Sequence, residues 1–367
     1  MYMNFWYPVA TSEEVTNAKP VRARILTLDF VAFRDTAGNA HVLADTCIHR
    51  GASLGKGKVK GDCVECPYHG WQYDGSGHCT TIPSLAAGEK PPSRAKVDSY
   101  PVVEKYGIVF AFLGDLPEAE RPPLWDIDEF DDPAWRPNKL VVFDVNYYYE
   151  RSVENGLDPA HNEFVHPKQG APGMRQDFRT KPIEVEDIGE FGSKFMMPFT
   201  QATEGMMGKS MERDAQYLKG GSGHLGPNTL VTWLQFSKDA IFHQYFFEAP
   251  IDETRTRIFF VNMRHFMLDP KHDDPIIKVN MEIAQEDIDL LVELNPVRTP
   301  HSTTLELLVP ADRPIVRYRQ YLEDWQKRGW RLDLAKLRQA RGDAAFAIPC
   351  PDRRRHKNWV LPPAPVM

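Results

Sequence analysis

Long apolar runs are missing from this chain of 367 residues. Nowhere does it approach the roughly eighteen consecutive apolar residues of a membrane helix. Its opening, MYMNFWYPVATSEEV, lacks the basic start and apolar core of a secretory signal, so no membrane anchor and a cytoplasmic location are expected. An excess of positive charge is missing too: 44 basic residues face 51 acidic ones, for a formal net charge of -7. Nucleic acid is therefore excluded as the main partner. Cysteine is scarce, five residues in all, at 47, 63, 66, 79 and 350, which is too few and too uneven for a disulfide framework. What is present is the composition of a globular protein, 42% hydrophobic and 26% charged, in a length that favours two domains.

Organisation along the chain follows from shifts in pattern. A strand run from Arg24 to Arg34 leads through Asp35-Thr-Ala-Gly-Asn39 into a second from His41 to Leu43, a hairpin signature. Two loops rich in Gly, Lys and Cys follow, then the apolar run Gly107 to Leu113, so an all-β domain is expected over 1–116. The stretch 117–137, rich in Pro, Asp and Glu, reads as a linker to a second domain over 138–367. There, strands (Leu140 to Tyr149, Leu230 to Phe236, Ile241 to Phe247, Arg257 to Met263) mix with helical stretches near 152–166, 276–294 and 312–328, an α+β pattern. By composition, Leu218 to Pro227 reads as a flexible loop, either a lid or plain surface.

Cys47-Ile-His49 and Cys66-Pro-Tyr-His69 are two short loops, each offering one thiolate and one imidazole. A [2Fe–2S] cluster of the Rieske type needs that donor set, since two Cys hold one iron and two His the other. A Cys₂His₂ set can also hold structural zinc, and Cys63-Val-Glu-Cys66 is itself a CxxC. Zinc fingers, however, pair Cys with Cys and His with His at shorter spacings. Cys63 is then a spare thiol, Cys79 and Cys350 are small hydrophobes, and His41 and His78 are ordinary packing or surface residues.

A second donor set lies in Glu154-Asn-Gly-Leu-Asp158-Pro-Ala-His161-Asn-Glu-Phe-Val-His166-Pro. His161 and His166, five apart, are turned by about 140° on an ideal helix and meet one metal only if the helix distorts or ends near His166, as Pro167 suggests. Two His with one carboxylate is the facial set of non-haem Fe(II) oxygenases. On the helical stretch 281–294, Glu282, Glu286, Asp289 and Glu293 share a solvated face, whereas Asp287 lies on the apolar stripe of Ile283, Leu291 and Leu294. An inward acid needs a partner, which a metal or a buried salt bridge would supply.

The string CIHRGASLGKGKVKGDCVECPYHGW, followed by Asp158-x-x-His161-x4-His166, resembles the Rieske non-haem iron oxygenases, terminal oxygenase component, over most of the chain. The resemblance implies cluster ligands Cys47, His49, Cys66 and His69, and iron ligands His161, His166 and Asp287. It implies that Asp158 links a cluster histidine of one subunit, here His69, to an iron ligand of its neighbour. It implies a Rieske domain of β-sheets, then a helix-grip (START-like) catalytic domain with an antiparallel sheet, in head-to-tail homotrimers. Asn155-Gly-Leu-Asp158 and the stretch Gln285 to Pro296 look like the monooxygenase and demethylase branches, although the Glu often found five residues after the family's Asp is here Val292, with Glu293 next.

The activity so implied is O₂-dependent hydroxylation or oxidative demethylation of an apolar, aromatic or polycyclic small molecule. With no dinucleotide fingerprint and no room for a flavin domain, electrons from NAD(P)H are expected through a separate ferredoxin or flavin reductase. Arg50, Lys56, Lys58 and Lys60 form its expected docking face. Phe195-Met-Met-Pro-Phe199, Met206-Met207 and Phe242 to Phe247 are candidate pocket walls, or plain core. A Rieske electron carrier without oxygenase activity is the alternative. Respiratory carriers bring an extra Cys in each loop, where this chain has Ala52 and Pro67, and the second donor set would then have no purpose.

Overall fold

A computed structural model describes residues 1–166, 182–198, 219–300 and 303–367. They form two compact units, Met1–Pro123 with Trp325–Met367, and Leu124–Asp324. Among the described residues no helix is long and apolar enough to cross a membrane.

The first unit is β-rich, built from β1 (Phe5–Thr11), β2 (Val21–Ile25), β3 (Leu28–Arg34), β4 (Ala40–Ala44), β5 (Lys58–Lys60), β6 (Cys63–Glu65), β7 (Gln72–Asp74), β8 (Cys79–Thr81), β9 (Ser99–Tyr100), β10 (Val102–Lys105) and β11 (Ile108–Leu113). They pair as three antiparallel sheets, β1-β11-β10, β2-β3-β4-β9 and β5-β6-β7-β8. The β3–β4 hairpin turns through Asp35 and Asn39, whose backbone and side chains close it at 2.7–3.0 Å. The expected single run from Arg24 to Arg34 is two strands, because Leu26 and Thr27 both take left-handed φ and fold it back on itself.

The expected partition gave residues after 137 wholly to the second domain, yet Trp325–Met367 belongs to the first unit. Buried Asp98 is the reason. Its carboxylate takes both arms of Arg353 at 2.6 and 2.7 Å and the Cys350 amide at 3.0 Å, partners some 250 residues along the chain. Trp325 packs edge-on against Phe5 at 4.7 Å.

The second unit holds one antiparallel sheet, ordered β12-β19-β18-β17-β16-β15-β14, with β13 also on β19. Its strands are β12 (Arg136–Pro137), β13 (Val141–Val145), β14 (Glu186–Ile188), β15 (Gly192–Pro198), β16 (Lys219–Leu225), β17 (Thr229–Gln235), β18 (Ile241–Pro250) and β19 (Thr256–Arg264). Helices α1 (Tyr149–Gly156), α2 (Asn162–Val165), α3 (Asp273–Leu291) and α4 (Arg313–Lys327) accompany it. The stretch read as a flexible loop is largely β16, an interior strand paired on both sides. Its glycines serve close approach: a Cβ on Gly221 would lie 2.0 Å from the Phe195 carbonyl oxygen. The helix expected over 152–166 is two pieces, broken after Gly156, where Pro159 removes an amide donor. Ile288 and Leu291 of α3 pack with Val145, Tyr147 and Ile258 under the sheet.

Candidate metal centres

In the first unit the two Cys/His loops share one backbone design. The Cys47 amide donates to Ala52 and the Gly51 amide back to Cys47, at 2.8 and 2.9 Å; Cys66 with Trp71 and Gly70 with Cys66 repeat this at 2.8 and 3.1 Å. Gly51 and Gly70 hold the tight turns at φ 75° and 70°, a conformation that glycine adopts without strain. The result is an asymmetric donor set. Cys47 and Cys66 are buried, while His49 and His69 reach the surface with ring centroids 4.5 Å apart. Trp71 stacks on His49 at 4.6 Å and 5°.

Burial pushes the Cys47 thiol up to about 11, against a hydrogen bond with Tyr73 at 3.2 Å. A thiol so placed becomes a thiolate only where a metal takes its charge. Among the described residues only His161, His166 and Asp287 bring three ligand atoms within 4.8 Å of one another. The four loop donors are more widely spread, which suits a two-iron cluster and not one tetrahedral zinc ion. Other nearby groups are engaged elsewhere: His41 pairs with Asp35 at 2.9 Å, His78 with Ser76 at 2.9 Å, and Cys63 faces Thr80. Lys58 and Lys60 both pair with Glu65, so the basic loop is partly neutralised; among the described residues Arg50 and Lys56 make no ion pair.

In the second unit α1 carries an unusually polar buried face, held by Arg319 on Glu154 at 2.6 and 2.8 Å. Gly156 closes it against Leu230, and the chain then turns through Asp158 and Pro159. His161 enters α2 with helical backbone and His166 follows it at φ -112° and ψ 67°, so the helix ends at the second ring, as Pro167 suggests, and the two Nε2 atoms lie 3.2 Å apart. Asp287 Oδ1, from α3, lies 3.2 Å from His166 Nε2 and 3.6 Å from His161 Nε2. Three donors on one octahedral face lie roughly 3 Å apart when each is ~2.1 Å from the ion, so this triangle fits a facial metal site.

The far nitrogen of each ring is held as well. His161 Nδ1 donates to the Asp158 carbonyl, and His166 Nδ1 to Glu286 Oε2 at 3.1 Å. Asn155 Nδ2 donates to Asp287 Oδ1 at 3.0 Å. Burial lowers His161 despite the opposing pull of Asp287 and Asp158; it acts the same way on His166, where Asp287 and Glu286 outweigh it and raise the ring. Burial raises the Asp158 carboxyl, which accepts from the Ala160 amide at 2.7 Å.

Glu286 corrects the sequence reading: it is half-buried on His166, not on a solvated face. Its only sequence signal is adjacency to Asp287, and that of Asn155 is its place in the Asn155-Gly-Leu-Asp158 motif. A cavity of about 150 Å³ opens beside the triad, lined by Asp287, Ile283 and Leu291 of α3 and by Gln244 and Phe246 of β18. Phe195 is buried away from it, and Phe199, Met206 and Met207 lie outside the described residues.

Residues 5–101 match the family model of the Rieske [2Fe-2S] domain, and residues 145–328 that of the vanillate O-demethylase oxygenase C-terminal domain. Pheophorbide a oxygenase from Oryza sativa subsp. japonica is 33% identical over 204 residues, 52% of this chain and 38% of that protein. The 4beta-methylsterol monooxygenase of Methylococcus capsulatus is 28% identical over 286 residues, 76% of this chain and 71% of that one. The chain thus spans well under half of the first relative. The solved structure of Pseudomonas putida CBB5 NdmA with caffeine superposes with a TM-score of 0.70 at 24% identity, covering 89% of this chain and 91% of that one, a likeness of fold.

Proposed function

From its place among the Rieske non-haem iron oxygenases, the family to which this chain belongs as a terminal oxygenase, we propose that it hydroxylates or oxidatively demethylates an apolar, aromatic or polycyclic small molecule. The observation that carries this reading is the His161, His166, Asp287 triangle opening on a cavity whose walls include Phe143, Leu230, Phe246, Ile258 and Phe260.

Cys47, His49, Cys66 and His69 would hold the [2Fe–2S] cluster, and His161, His166 and Asp287 the mononuclear Fe(II). When bound, these groups supply one-electron transfer and O₂ activation. The chain's own residues prepare the site. Glu286 and the Asp158 carbonyl occupy the outer nitrogens of the two rings, which leaves each Nε2 with its lone pair toward the metal position. Asn155 turns Asp287 inward. Apolar side chains around the triad exclude water from the reacting end of the substrate.

The buried thiols and surface imidazoles make the histidine side of the loops the natural exit for electrons. The Asp158 carboxylate, in this reading, joins His161 to a cluster histidine of a neighbouring subunit in a head-to-tail homotrimer of helix-grip chains. Electrons come from NAD(P)H through a separate ferredoxin or flavin reductase docking near Arg50 and Lys56, in the cytoplasm.

Metal analysis joined to EPR of anaerobic, dithionite-reduced protein tests the reading. About three irons per chain with a rhombic Rieske signal are expected. Two irons with the same signal would leave an electron carrier, and zinc without the signal would overturn both centres.

A further inference from the structure

Asn280 lies on α3 two turns before Asp287, on the same inward stripe, and lines the same cavity. It is 9% exposed, and its Nδ2 has no hydrogen-bond partner. A buried amide without a partner is a standing penalty, and helix interiors have little use for asparagine. The sheet opposite carries a matching irregularity. Ser222, Thr232 and Gln244 stand in register on β16, β17 and β18, three polar side chains facing the cavity. They lie beside the apolar row of Leu230, Phe246 and Phe260. Ser222 and Thr232 satisfy one another at 3.3 Å.

Charge is as informative as polarity. Among the described residues lining the cavity there is no Lys or Arg, and the ionisable groups are the triad and Tyr147. An organic carboxylate or sulfonate at the end remote from the triad would meet no basic side chain among the described lining residues, an expensive arrangement. A neutral oxygen meets no such cost.

We infer that the cavity selects a neutral, largely apolar molecule carrying one carbonyl or hydroxyl group, which Asn280 binds at the end remote from the metal triad. The inference rests on the oxygenase reading and narrows its substrate class. Seven residues of helix place Asn280 about 10 Å along the axis from Asp287, so the oxygen function is anchored at one end and the reacting carbon lies at the other.

The test is calorimetric binding, under anaerobic conditions, of 4-methylacetophenone, 4-ethyltoluene and 4-methylbenzoate to the iron-loaded protein and to its Asn280→Leu and Asn280→Asp variants. In the natural protein the ketone should bind about tenfold more tightly than the hydrocarbon, with the benzoate weakest. Both variants should lose the ketone's advantage, Asn280→Leu with hydrocarbon affinity kept; either alone is decisive if the other fails to fold. A ketone advantage that survives in the variants, a preference for the benzoate, or no binding of any probe at millimolar concentration would overturn it. Iron content and the Rieske EPR signal of the same samples separate the two levels. Intact metals with the wrong preference sink only this inference, whereas absent metals sink the oxygenase reading beneath it.

Discussion

Glu286 and Asp287 are neighbours in sequence with different work, because successive residues on a helix point about 100° apart. One reaches the metal position and the other takes the outer nitrogen of His166. Glu286→Ala should leave the Rieske EPR signal unchanged and weaken mononuclear iron binding by about 10- to 100-fold, measured by competition with a chelator. Glu248 is a different kind of acid. Fully buried, with no hydrogen-bond partner at either oxygen, it is pushed up to about 8 by burial, with Ser152 nearby pulling the other way. Such a group keeps its proton in the fold and releases it on unfolding. Its contribution to stability is therefore full below the ordinary carboxylate range and is lost as pH rises toward 8. Glu248→Gln should flatten that decline, a difference on the order of a few kcal/mol between pH 5 and pH 8.5 in chemical denaturation. Equal slopes in the two proteins would contradict the account.

At the scale of elements, the site depends on where a helix stops. Gly156 ends α1 with so little room that a Cβ there would lie 2.1 Å from a Leu230 methyl group. Gly156→Ala should cost about 1–3 kcal/mol by overpacking, seen in the unfolding midpoint, and should lower iron occupancy because the turn to His161 moves with it. Leu230→Ala in the same chain should recover part of the stability; an additive loss would mean that the two residues do not press on one another. The strand β16 teaches the complementary point. Composition alone makes Lys219 to Leu225 a loop, yet there the absence of side chains lets neighbouring backbones close up.

At the scale of the whole molecule, the last 43 residues complete the unit that the first 123 begin. Arg353→Ala would leave the Asp98 carboxylate buried without its bidentate partner. The expected loss is about 3–5 kcal/mol, with the cluster EPR signal lost on heating well before that of the natural protein. The assembly has its own test. Asp158→Ala keeps the backbone carbonyl that orients His161 and removes only the carboxylate. Both metals should remain bound while turnover is abolished, and a fully active variant would remove the inter-subunit bridge from the scheme.

The loop donors Cys47, His49, Cys66 and His69 were legible from the sequence because their chemistry is local: each pair sits within three or four residues, followed by a glycine whose turn needs no distant partner. His161 and His166 were legible for the same reason, and the pull of Asp287 toward the interior could be read from the period of its helix. Tertiary structure decided the rest. The grip of Glu286 on His166 and the pairing of Asp98 with Arg353 each depend on a partner more than a hundred residues away. Neither periodicity nor composition carries that information, since such contacts are selected by the packing of faces and not by spacing along the chain.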